Sequence, residues 1–412
     1  MDVLFERCCG LDVHKRNVLA CLITPDQNGQ AVHQIRNFGT MTCDLIELCD
    51  WLTEAGCTHV AMESTGVFWK PIYNLLEGNF KLLVVNAQHI KAVPGRKTDV
   101  RDCQWIAELL RYGLLRASFV PDQAQRELRE LTRYRTSLVR ERGAAVNRLQ
   151  KTLESANIKL ACVASDVTGK SSREMLQGLI EGVTDARQLA DHAKMQMRRK
   201  LPELEKALTG RVTPHHRFLL SQQLSHIDSL EALIDQASQE VAKRLRPFEP
   251  VLEQLITVTG VARRTAEILM AEIGWDVSRF PTSKHLASWA GMCPGNNESA
   301  GKRKSGKTRK GSPWLRSALV EAGRAASRTK NTYSNSQYHR LVARRGTKKA
   351  AMAVGHSLLV AIYHMLKDGT EYQDLGHQYF EERDRQAIVK RSIKRLTSLG
   401  YKVDLTPGLQ TG

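Results

Sequence analysis

Gly10-Leu11-Asp12-Val13-His14-Lys15 sets one carboxylate into a short run that is otherwise apolar, and Met62-Glu63-Ser64-Thr65-Gly66 repeats the placement further along. Working outward, residues 8 to 13 and 18 to 23 read as short strands, and Asn28-Gly29 is a hairpin turn before a third strand near Val32 to Ile35. A helix from about Asp44 to Thr53 precedes a fourth strand, His59 to Glu63, and another helix leads to a fifth, Lys81 to Val85. A last helix follows Thr98, whose hydroxyl caps it, with Trp105, Ile106, Leu109 and Leu110 on its apolar face. In this order Asp12 ends the first strand, Glu63 ends the fourth, and Asp99 and Asp102 lie three apart on one face at the start of the last helix.

In an RNase H-like sheet the first and fourth strands are neighbours, so the order predicts that all four carboxylates meet at one end of the sheet. Mg²⁺ prefers oxygen ligands, and a pair of such ions clamps the attacking and leaving oxygens of a phosphodiester. Four acids without histidine or thiol suit that job. Taken singly, Asp12 could close a turn and Asp99 could favour its helix dipole. His14 and Lys15 either reach a phosphate backbone or begin the turn.

Val120-Pro121-Asp122 breaks the pattern, and a long helix with Leu128, Leu131, Leu138, Val146, Leu149 and Leu153 follows. A second begins at Thr213-Pro214, with Leu220, Ile227, Ile234 and Val241 every seven residues. That seam wants a partner helix, either the first one folded back or another subunit. Arg126, Arg129, Arg133, Arg135, Arg140, Arg142 and Arg148 decorate the first helix, as a solvated face or as nucleic-acid contacts. From Pro250 the texture is compact and glycine-punctuated. The fold class is therefore α/β plus all-α: an N-terminal RNase H-like (RuvC-like) domain over 1–119, a helical coiled-coil arm over 120–250, a helical domain over 251–370, and a basic tail over 371–412.

The chain has 412 residues, with 61 Lys and Arg against 43 Asp and Glu, a net charge of +18. A surplus of that size points to a polyanionic partner, with nucleic acid first, rather than a neutral metabolite. Nine cysteines occur with no Cys-x-x-Cys pair and no zinc spacing, which predicts reduced thiols in the cytoplasm. No signal-peptide pattern and no apolar stretch near the roughly 18 residues of a membrane span is read, so no membrane is expected.

Two features of the second half carry chemistry. Ile256-Thr257-Val258-Thr259-Gly260-Val261-Ala262 resembles a helix-hairpin-helix turn, whose backbone N–H groups bind phosphate without reading sequence, although a plain helix turn fits as well. The second is a dense basic loop. Lys302, Arg303, Lys304, Lys307, Arg309 and Lys310 crowd it, and each phosphate they neutralise releases counterions. A following helix from Pro313, with Trp314 and Leu315 inward, holds the loop.

Gly-Leu-Asp-Val-His-Lys at 10 to 15, Met-Glu-Ser-Thr-Gly at 62 to 66 and Lys-Thr-Asp-Val-Arg-Asp at 97 to 102 resemble the DEDD domain of the IS-one-ten family of insertion-sequence transposases, in the IS-eleven-eleven branch. Pro294, Ser299-Ala300-Gly301, Gly306, Lys310-Gly311 and Leu315-Arg316 resemble that family's second half in the expected order. The resemblance implies that Asp12, Glu63, Asp99 and Asp102 bind Mg²⁺ and that Ser299 is the nucleophile, with Ser305 as the fallback. Alanine follows Ser299 where glycine is common. No sequence-adjacent histidine offers a base, so metal at the DEDD cluster is the expected activator. The resemblance further implies donor and target DNA, a bridge RNA as guide, and a dimer or tetramer. The rivals are a metal-dependent Holliday-junction-type nuclease using water, and a non-catalytic nucleic-acid-binding protein.

Overall fold

The computed structural model describes residues 2–64, 66–86, 99–295, 297–308 and 310–403. Two compact units divide it at Asp122 and Gln123.

The first unit is a mixed α/β layer. Strands β1 (Cys8–Val13), β2 (Asn17–Pro25) and β3 (Ala31–Gly39) form an antiparallel meander. The turn between β2 and β3 is tied by Asp26, whose carboxylate accepts from Asn28 N and Gln30 N, and Gly29 there adopts φ 76°. Helix α1 (Thr42–Glu54) leads to β4 (His59–Glu63), and α2 (Trp69–Leu76) to β5 (Lys81–Val85). The sheet order is β3-β2-β1-β4-β5, with β4 parallel to both β1 and β5, as expected for an RNase H-like sheet. One sheet face packs Leu11, Leu22, Val60 and Met62 against α1 and α2. The other packs Cys8, Cys21, Ala61 and Val85 against α3 (Asp99–Arg111). On α3 the inward residues are Cys103, Ile106, Ala107 and Leu110, whereas Trp105, expected inside, is 37% exposed. The expected cap Thr98 lies outside the described residues.

Among its described residues, the second unit is helical apart from one small hairpin. Helix α4 (Gln123–Ser155) runs 33 residues; α5 (Leu160–Val163), α6 (Lys170–Glu181), α7 (Ala186–Ala190) and α8 (Leu201–Leu208) follow. These short helices form a packed cluster that the heptad pattern does not register. Helix α9 (Pro214–Leu245) starts where Thr213 caps it, its hydroxyl accepting from His216 N. Its partner is α4, antiparallel: Glu127 pairs with Arg244, Arg142 with Glu231, and Thr152 with Gln223. Leu220, Ile227, Ile234 and Val241 are all buried, so the seven-residue seam is consumed within the chain.

The remaining core joins α10 (Glu249–Ile256), α11 (Arg263–Ile273), α12 (Ser283–Trp289), α13 (Pro313–Ala326), α14 (Tyr333–Arg345) and α15 (Thr347–Asp368), with α16 (Tyr379–Ser398) beyond. Contrary to the expectation of no apolar stretch, α15 is long and apolar enough to cross a membrane, with mean hydropathy 1.2. Its apolar content has another use here. Val354, Leu358, Leu359 and Ile362 sit in the shared core, and Gly355 meets Leu319 of α13 backbone to backbone.

Candidate functional site

Side chains alternate along a strand, so Asp12 shares a face with Gly10 and Cys8, and Glu63 shares one with Ala61. Both faces are the α3 side. Since Leu11 pairs with Met62 in parallel register, Asp12 and Glu63 are the next residues along two neighbouring strands. Helix α3 runs back over β1. Leu4 N donates to Arg111 O at 2.9 Å, the Cys8 thiol reaches Ala107 O at 3.8 Å, and the start of α3 arrives above the end of β1.

Gly10 permits this crossing. A Cβ there would lie 2.4 Å from Ala107 N and 2.5 Å from Cys103 O, so only glycine lets the helix backbone come this close.

At the crossing, ligand atoms of Asp12, His14 and Asp99 all lie within 4.8 Å of one another, a grouping able to hold a metal ion. His14 Nε2 stands 3.1 Å from Asp12 Oδ2 and 3.6 Å from Asp99 Oδ2. Asp12 is only 8% exposed. Burial raises its pKa, the carboxylates of Asp99 and Asp102 raise it further, and His14 opposes them. A buried acid beside other acids is an arrangement that a cation relieves, and the carboxylate oxygens here fit a hard divalent ion, with His14 placed to hydrogen-bond Asp12. Glu63, half-buried, and Asp102 stand outside the tight trio, although both lie on its side of the sheet and helix.

His14 joins two of the four expected carboxylates in this grouping. Its signal was present in the sequence: it lies two residues after Asp12, and its N–H donates to Asn17 O, which prolongs the β1–β2 pairing and keeps both side chains on one face.

The expected serine lies on a hairpin, β6 (Asn297–Ser299) and β7 (Lys302–Ser305), in the second unit. Ser299 pairs with Lys302 across a two-residue turn, Ala300 at φ 50° and Gly301 at φ 72°, both left-handed as such turns require. Ser305 sits at the opposite end, paired with Asn297. The hairpin's foot is anchored. Pro294 bridges Thr308, Gly295 N donates to Lys307 O at 2.8 Å, and Gly311 packs on the backbone of Ala290 and Gly291. Ser312 then caps α13 and donates to Glu272 Oε2 at 3.0 Å. Lys302, Lys307 and Lys310 are exposed; Arg309 lies outside the described residues, as do the side chains of Ser299, Arg303, Lys304 and Ser305.

Gly260 makes the α10–α11 turn at φ 86°. Its open side faces α13, where a Cβ would meet Ala322 O at 2.4 Å, so the glycine serves packing as well as the turn.

Several α4 arginines are structural. Arg129 donates to Ala271 O and Glu272 O, Arg133 makes a two-pronged bond to Glu272, and buried Arg135 pairs with buried Glu267. Arg142 binds Glu231 and Thr168, and Arg140 stacks over Trp314 at 5.0 Å.

Against known proteins, one family model described as a transposase matches residues 9–158, and one described as "Transposase IS116/IS110/IS902 family" matches residues 252–339. A probable family 20 transposase of Pseudomonas aeruginosa is 23% identical over 76% of this chain and 85% of its own length. The transposase for insertion sequence element IS1111A of Coxiella burnetii is 21% identical over 70% of this chain and 72% of its own. An IS110 insertion-element protein of Streptomyces coelicolor is 33% identical over 31% of each chain. The first matched stretch holds the carboxylates and the second the serine hairpin, in the order the motifs predict, and this chain belongs to the IS110 family of transposases.

Proposed function

We propose that the chain cuts and rejoins DNA strands with Ser299 as nucleophile and Mg²⁺ held by Asp12, Asp99, Glu63 and Asp102, with His14 orienting Asp12. The observation that carries this reading is the gathering of Asp12, His14 and Asp99 at the end of β1. Two further carboxylates beside a buried one raise the cost of its charge, and a shared cation would lower that cost. When bound, the metal supplies polarisation of the phosphoryl group and of the attacking hydroxyl.

Ser299 Oγ attacks phosphorus, an O–P bond forms, and the bond to a deoxyribose oxygen breaks, leaving that strand with a free hydroxyl that takes up a proton. The serine proton passes to solvent or a nearby base. Attack by another strand's hydroxyl reverses the step, so no nucleotide triphosphate is consumed. Support for Ser299 over Ser305 is its place at the hairpin tip, whereas Ser305 lies toward the foot. Lys302, Arg303, Lys304, Lys307, Arg309, Lys310 and the Gly260 turn serve as phosphate contacts in this reading. A bridge RNA supplies sequence choice by base pairing, consistent with the surplus of +18. Exchange between two duplexes needs more than one cut at a time, which calls for a dimer or tetramer.

The test is trapping of protein on element-end DNA. Wild type should give a covalent adduct, and Ser299→Ala should lose it while still binding DNA. Asp12→Asn should lose it too, and should no longer be stabilised by added Mg²⁺. Free cut ends with no adduct in wild type would favour water as nucleophile and end the serine reading.

A further inference from the structure

A cavity of about 850 Å³ opens beside the foot of the hairpin. Pro294, Gly306 and Thr308 form one wall, and the end of α14 and the first turns of α15 form the other. Arg345, Lys348 and Lys349 stand on its rim, exposed, and none has an acidic partner among the described residues. Met292 and Met352 supply apolar surface. Gln337 lies deeper: its Nε2 donates to Ser357 Oγ at 2.8 Å, and its Oε1 is buried with no hydrogen-bond partner. His356 lines the same cavity, and burial holds its imidazole below the ordinary value, so it offers a neutral donor and acceptor. The α15 groups lie beyond the stretch that the second family model matches.

Three unpaired cations call for an anion, while the thioethers and a buried carbonyl oxygen call for a flat group with an apolar face and a donor edge. A nucleotide offers both, and one nucleotide suits a cavity of this size. We infer that this cavity receives one nucleotide of the DNA strand bordering the cut, its phosphate on Arg345, Lys348 and Lys349 and its base between Met292 and Met352 with an edge on Gln337. The inference rests on the reading of the hairpin as the element that carries the nucleophile. Held this way, the strand is drawn out of its stack and pinned at the hairpin foot, which fixes its position relative to the tip.

The test uses the full chain and duplex DNA spanning the element end, with 2-aminopurine at one position at a time on either side of the cut. A base leaving the stack brightens. One position should brighten with wild type. Gln337→Glu, which sets a negative charge in the floor, and the pair Lys348→Gln with Lys349→Gln should return it to the stacked intensity. Both lysines are exposed, so the pair leaves the fold intact. That pair should also lower the slope of log Kd against log salt by about 1, for the one phosphate that is no longer neutralised, and the Lys→Arg pair should restore both readouts. The inference is overturned if no position brightens, or if a bright position ignores these substitutions. Measuring the same fluorescence in Ser299→Ala separates the two ideas. A signal without any adduct in wild type sinks the serine and leaves the cavity, whereas a serine-dependent adduct without a signal sinks the cavity alone.

Discussion

Replacing Gly10 with alanine tests the geometry on which the metal site depends. The new Cβ would sit 2.4 Å from Ala107 N, 2.5 Å from Cys103 O and 2.9 Å from Ala107 Cα. Comfortable carbon contacts begin near ~3.5 Å, so α3 must retreat by about 1 Å. All three neighbours are helix backbone, which cannot swing aside as a side-chain tip would. Overpacking of this kind costs about 1–3 kcal/mol, which lowers the melting transition of the first unit by roughly 5–15 °C. The same retreat lifts Asp99 and Asp102 from Asp12 and His14, and a misplacement of about 1 Å costs on the order of 10²-fold in rate. Differential scanning calorimetry and adduct formation at saturating Mg²⁺ measure the two effects. Ala107→Gly should not rescue the variant, because it removes a side chain that the clash does not involve. A Gly10→Ala protein that melts and reacts like wild type would refute the close approach, and with it the placement of the acids above Asp12.

Glu272 is fully buried and binds both Arg133 and Ser312, so Glu272→Ala should cost about 3–5 kcal/mol in chemical denaturation and loosen the hairpin foot, seen as faster proteolysis between Pro294 and Ser312. Arg135→Ala should destabilise by a similar ~3–5 kcal/mol, whereas Arg135→Met with Glu267→Met should lie within about 2 kcal/mol of wild type and leave the salt dependence of DNA binding unchanged. Ala300 carries a left-handed backbone at φ 50°, so Ala300→Gly should relieve about 1 kcal/mol, read as a raised denaturation midpoint.

The sheet was legible because its signals are local and agree with one another. Apolar runs of strand length, the Asn28-Gly29 turn and the helix between β3 and β4 leave few ways to order five strands. Asp12 and Glu63 stand out in the sequence for the same reason, since each lies at the end of an apolar run, whereas Asp99 and Asp102 show only in their spacing of three. The His14 contribution was harder to see, because it depends on the β1–β2 pairing continuing past Val13, a property of two strands at once. Trp105 failed as a core residue through helical phase: Cys103, Ala107 and Leu110 define the buried face, and Trp105 lies off it. The small helices α5 to α8 were missed because they are too short to display a period. Their burial comes from packing on one another and on α4 and α9, the long helices that flank them in the chain.

Charge illustrates most clearly what a sequence cannot apportion. An arginine-rich α4 and a lysine-rich loop look alike when counted, yet their environments part them. Arg129, Arg133, Arg135 and Arg142 are held in specific bonds to carbonyls and carboxylates of α9 and α11, and withdrawing any of them for a phosphate would strand a partner. Arg345, Lys348 and Lys349 have no such partner among the described residues and stand exposed on a cavity rim beside the hairpin foot. The desolvation cost of leaving those partners unpaired makes the first group poor ligands for DNA, whereas the second group loses only counterions on binding. Of these seven residues, the charge free to act on a nucleic acid is that of Arg345, Lys348 and Lys349, and binding measured across salt should respond to substitutions there and stay indifferent to those of Arg129, Arg133, Arg135 and Arg142.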